Sequence, residues 1–385
     1  MFPGESGLRS GIHRLEVREL AYILGLFAVT RAALMALGIA AHVLLSGLPL
    51  NTPGDLAQIW NVWDGSWYIG IARDGYSAAP VNVERMANYA FFPLYPALVR
   101  LAAAMIGNYA LAGIAVSNVC LLVACLYLYR YVLLDEGSDR EAARRSVKYL
   151  LLFPLAFLFS AVLTESLFVA LAIACLYYAR RGRWAIAGPL GFLIALTRPT
   201  GIAVLAPMAY EYARQNQLSL KLSGISRWAK PQVLPLLMPL LAMGLWVLFN
   251  YYLTGDFLGF VHIQSKWGGQ FILPHLELLR CLDPDNVYAY AGAISTLILF
   301  GLMLVFYRKV DFGAWAFGVL QICIPLFSTG SCYSMLRYLA VVFPLFIVLG
   351  KVTRDKRVDL ALTAAVIALQ IVLLATWTTW SYFIV

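Results

Sequence analysis

The stretch AYILGLFAVTRAALMALGIAAHVLL (21–45) decides the fold class, because it continues for 25 residues with Arg31 as its one charge. A helix needs about 20 apolar residues to cross a bilayer. The preceding segment RSGIHRLEVREL (9–20) is charged, and the apolar run is too long for the h-region of a cleavable signal peptide. We therefore expect a retained first membrane helix.

The composition extends this conclusion to the whole chain. Hydrophobic residues make up 62% of the 385 residues and charged residues only 13%, whereas soluble domains are about half apolar and about a quarter charged. The apolar segments do not alternate as barrel strands do, so α-helices are the expected spanning elements. We expect one integral membrane domain (1–385), an all-α bundle with eleven spans near 20–46, 110–133, 149–163, 166–179, 184–197, 201–213, 232–253, 288–307, 312–328, 338–350 and 359–381.

The distribution of basic residues predicts which side of the membrane each segment faces. With the N-terminus in the cytoplasm, 21 of the 29 lysines and arginines fall in inner segments and seven in outer ones, as the positive-inside rule requires. This bias explains the net charge of +9 without nucleic-acid binding. Two outer loops, 47–109 and 254–287, hold most of the other polar residues. In the first, segment 91–107 contains two prolines and Arg100, so an interfacial helix fits better than a span.

The first outer loop contains WNVWDGSWYIGIARDGY (60–76). If this stretch is helical, Trp60, Trp63 and Trp67 lie on one face, and tryptophan favours the membrane–water boundary. We expect an interfacial helix with Asp64 beside that face, where partial desolvation strengthens a carboxylate as a base. The alternative interpretation is that Asp64 caps or hydrogen-bonds locally in a loop.

The second outer loop contains TGDFLGFVHIQSKWGGQ (254–270). Cations beside tryptophan suit an anionic headgroup such as a phosphate. Lys266 and Trp267 would also serve as plain interfacial anchors. The polar and aromatic residues of this loop are Asp256, His262, Gln264, Lys266 and Trp267.

Ionisable residues also stand at the outer ends of predicted spans: Glu165, Arg198 and Arg337. Charges in such positions are costly unless they are paired or face a polar cavity. The three residues therefore predict one outward-facing polar chamber, with snorkelling or structural ion pairs as the alternatives. Arg31, in the middle of the first span, has no evident outer partner.

Motifs for metals and cofactors are missing from the sequence. No acidic or cysteine pair has metal-ligand spacing, and there is no P-loop, dinucleotide-binding turn, HExxH or GxSxG motif. We predict no metal and no cofactor, so an enzyme would need an activated substrate delivered within the membrane. Cys281 and Cys332 both fall on the predicted outer side, where they form either a disulfide or two thiols.

Six stretches, taken in chain order, give the sequence a family resemblance. Together they resemble the PIG-V family, polytopic mannosyltransferases of the GT-C superfamily, and in particular its bacterial members. The resemblance implies a GT-C-like bundle and a plasma-membrane enzyme that takes mannose from a polyprenyl-phosphate donor on the non-cytoplasmic side. The stretches are WDGSWYIGIARDGY (63–76), FFPLYP (91–96), FPLAFLFSAVLTESLF (153–168), LTRPTGI (196–202), GDFLGFVHIQSKWG (255–268) and MLRYLAVVFPLF (335–346).

The resemblance also implies roles for individual residues. The essential acid of the first loop corresponds to Asp64, which would take the proton of an acceptor hydroxyl in a single inverting displacement. The acceptor is then a lipid-linked glycan or a glycolipid. A second loop acid, common in the superfamily, corresponds to Asp74 or Glu84. The expected substrate-binding residues, whose cations would stabilise the leaving phosphate, are Trp63, Glu165, Arg198, His262, Gln264, Lys266, Trp267 and Arg337.

Three rival functions stay open on the sequence. One is a GT-C transferase for another polyprenyl-phosphate sugar, the second is a transporter of lipids or sugar-lipids, and the third is a scaffold subunit with a degenerate site. Against transport stand the scarcity of mid-span charge pairs and the gathering of polar groups on one side.

Overall fold

The computed structural model of the chain describes residues 16–47, 57–78, 86–135, 139–218 and 233–378. In these ranges the chain is helical and forms no strand beyond one isolated bridge, Phe271 to Ser328. The predicted all-α fold is therefore confirmed. The α-helices are α1 (Val17–Ser46), α2 (Gly65–Asp74), α3 (Leu94–Ile106), α4 (Tyr109–Val132), α5 (Arg140–Leu152), α6 (Glu165–Arg180), α7 (Trp184–Ala195), α8 (Leu205–Gln215), α9 (Leu234–Thr254), α10 (Gly259–His262), α11 (Pro274–Cys281), α12 (Val287–Val305), α13 (Phe312–Cys323), α14 (Ser331–Ala340), α15 (Pro344–Val352) and α16 (Lys356–Thr378).

Five of these helices are long and apolar enough to cross a membrane: α1, α4, α9, α12 and α16. A sixth span arises if α14 and α15, which meet at a bend of 60°, cross together. The expected eleven spans are not confirmed in the described residues, because several of the predicted ones are short helices. For example, α6 has 16 residues and a length of about 24 Å, less than the ~30 Å hydrocarbon core.

The predicted number of spans is too high because some apolar helices are buried inside the protein and do not face lipid. Nearly every residue of α6 is buried against other parts of the protein. Hydropathy alone does not distinguish a helix inside a bundle from one that faces lipid. The segment 91–107 likewise forms only the 13-residue α3, about 20 Å long, so its length agrees with the expectation that it does not span.

The predicted span 149–163 is wrong from residue 153 onward. Helix α5 ends at Leu152 because Pro154 follows, and Phe153 adopts the extended conformation (φ −49°, ψ 142°) that a residue before proline prefers. Residues 153–164 then form turns and one short 3₁₀ helix, although they are almost completely buried. This buried connection ends where α6 begins.

Buried carbonyl groups in this connection need partners other than water. Arg31 of α1 donates to the carbonyl oxygens of Leu151 at 2.9 Å and Ala156 at 2.8 Å. Ser117 of α4 donates to the carbonyl oxygen of Ala161 at 2.7 Å. The mid-span arginine therefore stabilises irregular backbone within the bundle.

Ion pairs gather at the end of the bundle where α6 finishes, which we call the basic end. Arg180, the last residue of α6, contacts Asp135 at 2.7 Å and Asp311 at 3.4 Å. Lys351 contacts Asp135 at 2.7 Å. All four residues belong to segments predicted to share one side of the membrane. Glu165, at the other end of α6, is about 22 Å away along the helix axis.

Candidate active site

Asp64 lies in a turn that precedes α2, so the helix predicted from Trp60 onward forms only from Gly65. Trp63, the residue before it, has φ +53°, a left-handed conformation that costs an L-residue roughly 1–2 kcal/mol. Trp60 is only 1% exposed and donates its indole N–H to the sulphur of Met35 at 3.1 Å. The prediction that Trp60 shares an interfacial helix face with Trp63 and Trp67 is therefore wrong, because the turn directs the Trp60 side chain onto α1.

Asp64 belongs to a group of alternating acids and cations that we call the charge cluster. Arg337 of α14 donates from Nη1 to Asp64 Oδ2 and from Nε to Glu165 Oε1 at 2.5 Å. Arg198 donates from Nη2 to the same Glu165 oxygen at 3.2 Å. The structure therefore brings together Asp64 of the first outer loop and the three charged residues predicted at outer ends of spans, and their formal charges cancel.

Asp64 is the member of the charge cluster that solvent reaches. Its side chain is 28% exposed, compared with 0% for Glu165, 8% for Arg337 and 9% for Arg198. The buried charges require one another, because an isolated buried ion costs several kcal/mol. Arg337 holds Asp64 through Oδ2, and no side chain in the described residues donates to Oδ1. Asp64 Oδ2 is therefore held in place by Arg337, while Oδ1 is free to accept a hydrogen bond from a bound molecule.

Local structure explains how Glu165 and Arg198 reach this point. Glu165 is the first residue of α6, where the buried connection ends. Arg198 has extended backbone before Pro199, as the proline dictates. Its guanidinium lies 5.5 Å from the ring centre of Phe168 and 5.6 Å from that of Tyr338, a cation–π arrangement that fixes the group in place.

An aromatic cluster joins the first loop to the second. The rings of Trp67 and Phe91 stack at 5.6 Å, and Trp267 meets both rings at 6.1 and 6.0 Å. Tyr68 packs edge-on against Phe91 at 5.2 Å, and burial raises the pKa of its phenol while nearby Arg337 acts against that rise. Phe91 and Tyr68 lie in two of the stretches that carry the family resemblance, but nothing in those stretches distinguishes them from the many other aromatic residues of this chain.

The second loop carries Lys266 directly before Trp267 of this aromatic cluster, and His262 stands four residues before Lys266. His262 Nδ1 lies 2.5 Å from Asp256 Oδ2, and this hydrogen bond lowers the pKa of Asp256. The His262 side chain is 54% exposed, and Lys266 is also exposed. Gln264 is half-buried in the same short helical stretch. Sequence alone does not reveal that Asp256 orients His262.

Asp74, one of the two candidates for a second loop acid, is not in the charge cluster. Asp74 ends α2, about 15 Å along the helix from Asp64, and its exposed side chain pairs with Arg73 at 2.8 Å. Glu84 lies outside the described residues.

Two concave surfaces lie on the described part of the bundle. A cavity of about 310 Å³ runs along α2, lined by Ser66, Trp67, Gly70, Ile71, Asp74, Gly75, Tyr76, Ser77 and Asn88. A groove of about 260 Å³ lies between α4, α6 and α7 and starts at Leu167, two residues beyond Glu165. Its lining is almost wholly apolar and extends along α6 as far as Tyr178.

The fold and the site define a polytopic membrane protein with a charge-balanced polar site at one end of its helix bundle. A family model described as mannosyltransferase (PIG-V) matches residues 22–270. That stretch is well over half of the chain, and the chain belongs to this family, which supports a mannosyltransferase activity. Arg337 lies beyond the matched stretch, so its place in the site rests on geometry. No match was found among curated proteins.

Proposed function

We propose that this chain transfers mannose from a polyprenyl-phosphate mannose donor to a hydroxyl group of a lipid-linked glycan or glycolipid. Family membership supports the mannosyl transfer, and the donor, acceptor and membrane face are our inference. The observation that carries the proposal is Asp64, a solvent-accessible carboxylate held through one oxygen by the buried Arg337.

Asp64 is assigned the role of general base. Its Oδ1 takes the proton of the acceptor hydroxyl while that oxygen attacks the anomeric carbon. The bond between the anomeric carbon and the phosphate oxygen breaks, and the phosphate leaves with the electron pair. Attack from the face opposite the phosphate inverts the configuration, so a β-linked donor yields an α-linked product. Arg337 directs the carboxylate and holds it in place.

The leaving phosphate is assigned to cations of the second loop. Arg198 and Arg337 already face two carboxylates, so little net charge is available from them. His262 and Lys266 are both exposed, and Lys266 directly precedes Trp267 in the chain, an arrangement that suits a phosphate carried by a lipid. The contact between Trp267 and Trp67 supports placing this phosphate next to α2. Trp63 and Gln264 are assigned to the mannose and phosphate groups of the donor.

The apolar groove between α4, α6 and α7 is assigned to the polyprenyl chain. Its end at Leu167 lies only about 3 Å further along the α6 axis than Glu165, so a chain lying in it would end at the same level of the bundle as the charge cluster. Burial of isoprenoid carbons yields about 25 cal/mol per Å².

The orientation of the chain in the membrane is inferred from the charged residues at the two ends of α6. The basic end contains Arg180 and Lys351, and cytoplasmic segments of membrane proteins are rich in such residues. Glu165 stands at the opposite end. The charge cluster is therefore assigned to the outer face, with the N-terminus in the cytoplasm of a bacterial cell.

The test uses purified protein in detergent, radiolabelled polyprenyl-phosphate mannose and a lipid extract of the source membrane. We expect the wild type to move the label into a new glycolipid and release polyprenyl phosphate. Asp64→Asn should lower kcat by about 10²-fold or more, as expected for loss of a general base. Asp285→Asn is the control, since Asp285 is an exposed acid that lines neither cavity, and it should stay within about twofold of wild type.

Other results would contradict the proposal in distinct ways. Equal transfer by folded Asp64→Asn protein would remove Asp64 as the base. Transfer of a different sugar in preference to mannose would replace the donor. Movement of intact donor across a liposome membrane, without release of polyprenyl phosphate, would support transport.

A further inference from the structure

A second buried cluster lies where α11 meets α14. Glu277 and Cys281 are four residues apart on one face of α11, and Cys332 is in the first turn of α14. The carboxylate oxygen and the two sulphur atoms all lie within 4.8 Å of one another. Cys281 is 3% exposed and Cys332 0%. The proposed transfer uses neither cysteine.

Close helix packing holds the two sulphur atoms in this position. A Cβ atom added to Gly292 of α12 would lie 1.9 Å from the carbonyl oxygen of Cys332, so only glycine allows α14 to approach α12 this closely. The hydrogen bond with Cys332, together with burial, raises the pKa of the Cys281 thiol. Both sulphur atoms are therefore fixed as neighbours in a dry environment.

The surroundings favour a covalent bond over a metal ion. Glu277 already has a cationic partner, because Arg280 Nε lies 3.0 Å from its Oε2. Metal binding requires thiolates, and a raised thiol pKa opposes their formation. A disulfide carries no charge and needs no further ligand, so it fits a buried apolar contact.

We propose that Cys281 and Cys332 form a disulfide that ties α11 to α14 and thereby secures the helix that carries Arg337. Cys332 and Arg337 are five residues apart, about 7.5 Å along α14. The inference rests on the outer-face orientation proposed above, since disulfides persist in oxidising compartments. It does not depend on mannosyl transfer.

The oxidation balances with a protein disulfide as the oxidant. One thiolate attacks a disulfide of a thiol–disulfide oxidoreductase on the outer face and forms a mixed disulfide. The second cysteine sulphur displaces the oxidoreductase, which leaves as a dithiol with two electrons and two protons. Because both sulphur atoms are buried, the bond forms before α11 packs onto α14 and is afterwards shielded from reductants.

Peptide mapping of the whole protein tests this bond without any variant. Membranes are treated with N-ethylmaleimide, and the protein is unfolded, alkylated a second time with a heavier reagent and digested without reductant. We expect a peptide pair linked through Cys281 and Cys332. Cys125 and Cys175, both buried in helices away from this cluster, are the controls and should carry the heavier reagent. Finding Cys281 and Cys332 alkylated as thiols would overturn the proposal.

Two further measurements separate the ways in which it can fail. An impermeant maleimide is applied to intact cells carrying Asp285→Cys, an exposed position, in the Cys281→Ser/Cys332→Ser background. Unlinked cysteines with labelled Asp285→Cys would overturn the disulfide alone, whereas unlabelled Asp285→Cys would overturn the orientation as well. One equivalent of zinc per chain in the purified protein, with both thiols unlinked, would establish a metal site instead.

A stability series provides the last check. If the bond exists, Cys281→Ser and Cys332→Ser should each lower Tm by as much as the double variant does, because either substitution removes the whole cross-link. Additive losses would contradict the bond and indicate separate packing effects.

Discussion

Exchange of Arg337 for glutamine tests the charge cluster directly. Arg337 reaches Asp64 and Glu165 with different nitrogen atoms, and Glu165 is completely buried. Removal of one partner of a buried ion pair costs about 3–5 kcal/mol, because the other charge is left uncompensated. Arg198 remains 3.2 Å from Glu165, so we expect the free energy of unfolding to fall by about 3 kcal/mol, the lower end of that range.

The two contacts of Arg337 should differ in strength. Water can solvate Asp64, which is 28% exposed, and exposed ion pairs contribute at most about 1 kcal/mol. Two double-mutant cycles isolate these contacts. We expect a coupling energy of about 3 kcal/mol between Arg337→Gln and Glu165→Gln, and about 1 kcal/mol between Arg337→Gln and Asp64→Asn.

The assay is denaturant unfolding of each purified variant in the same detergent. Arg308→Gln is a matched control, because Arg308 is an exposed arginine in the loop between α12 and α13, and it should change the free energy by no more than about 0.5 kcal/mol. A coupling energy below about 1 kcal/mol between Arg337 and Glu165, measured in folded variants, would refute the buried bridge. Equal coupling to both acids would refute the assignment of Asp64 as the solvent-accessible member.

Asp256→Asn removes the negative charge from the group that orients His262 and leaves only a weaker amide acceptor, so KM for the donor should rise several-fold while kcat changes little; a fall in kcat alone would contradict this role. The pKa of Asp256 is lowered, mainly by His262, so its stabilising effect is complete above its ordinary pKa of 3.8 and is lost as pH falls through the lower folded value. Unfolding titrations between pH 6 and pH 2 should show this loss in wild type but not in Asp256→Asn. Trp267→Ala separates the two loops and should raise KM for the donor, whereas Trp267→Phe keeps a ring there and should recover most of the loss; equal effects would exclude ring packing. Arg31→Met deprives buried carbonyl groups of a charged donor and should cost about 3 kcal/mol, with partial recovery in Arg31→Lys, both measured by unfolding.

Much of the fold could be predicted because it depends on local composition. The long apolar runs around α1 and α4 identify spanning helices without knowledge of their neighbours. The count of spans could not be predicted in the same way, because α6 is apolar for burial within the protein. The connection after Leu152 looks helical by hydropathy, and its backbone groups depend on Arg31 and Ser117 from distant helices.

Part of the candidate site could also be predicted from the sequence. Charged residues stand out in an apolar chain, so Asp64, Glu165, Arg198 and Arg337 can all be selected as candidates. The sequence does not show which of these residues pair with one another and are therefore not available to contact a substrate. The structure shows Glu165 and both arginines buried in mutual contacts, with Asp64 left facing solvent.

Hydrophobicity and short motifs are local in the chain, and they are enough to identify a helical membrane protein of the PIG-V mannosyltransferase family and to select the charged residues of the site. The pairing of those charges depends instead on how distant helices pack. Asp64 and Arg337 are 273 residues apart in the chain, and Coulomb interactions depend on distance in space and on burial, so the solvent-accessible carboxylate emerges only when the helices are packed.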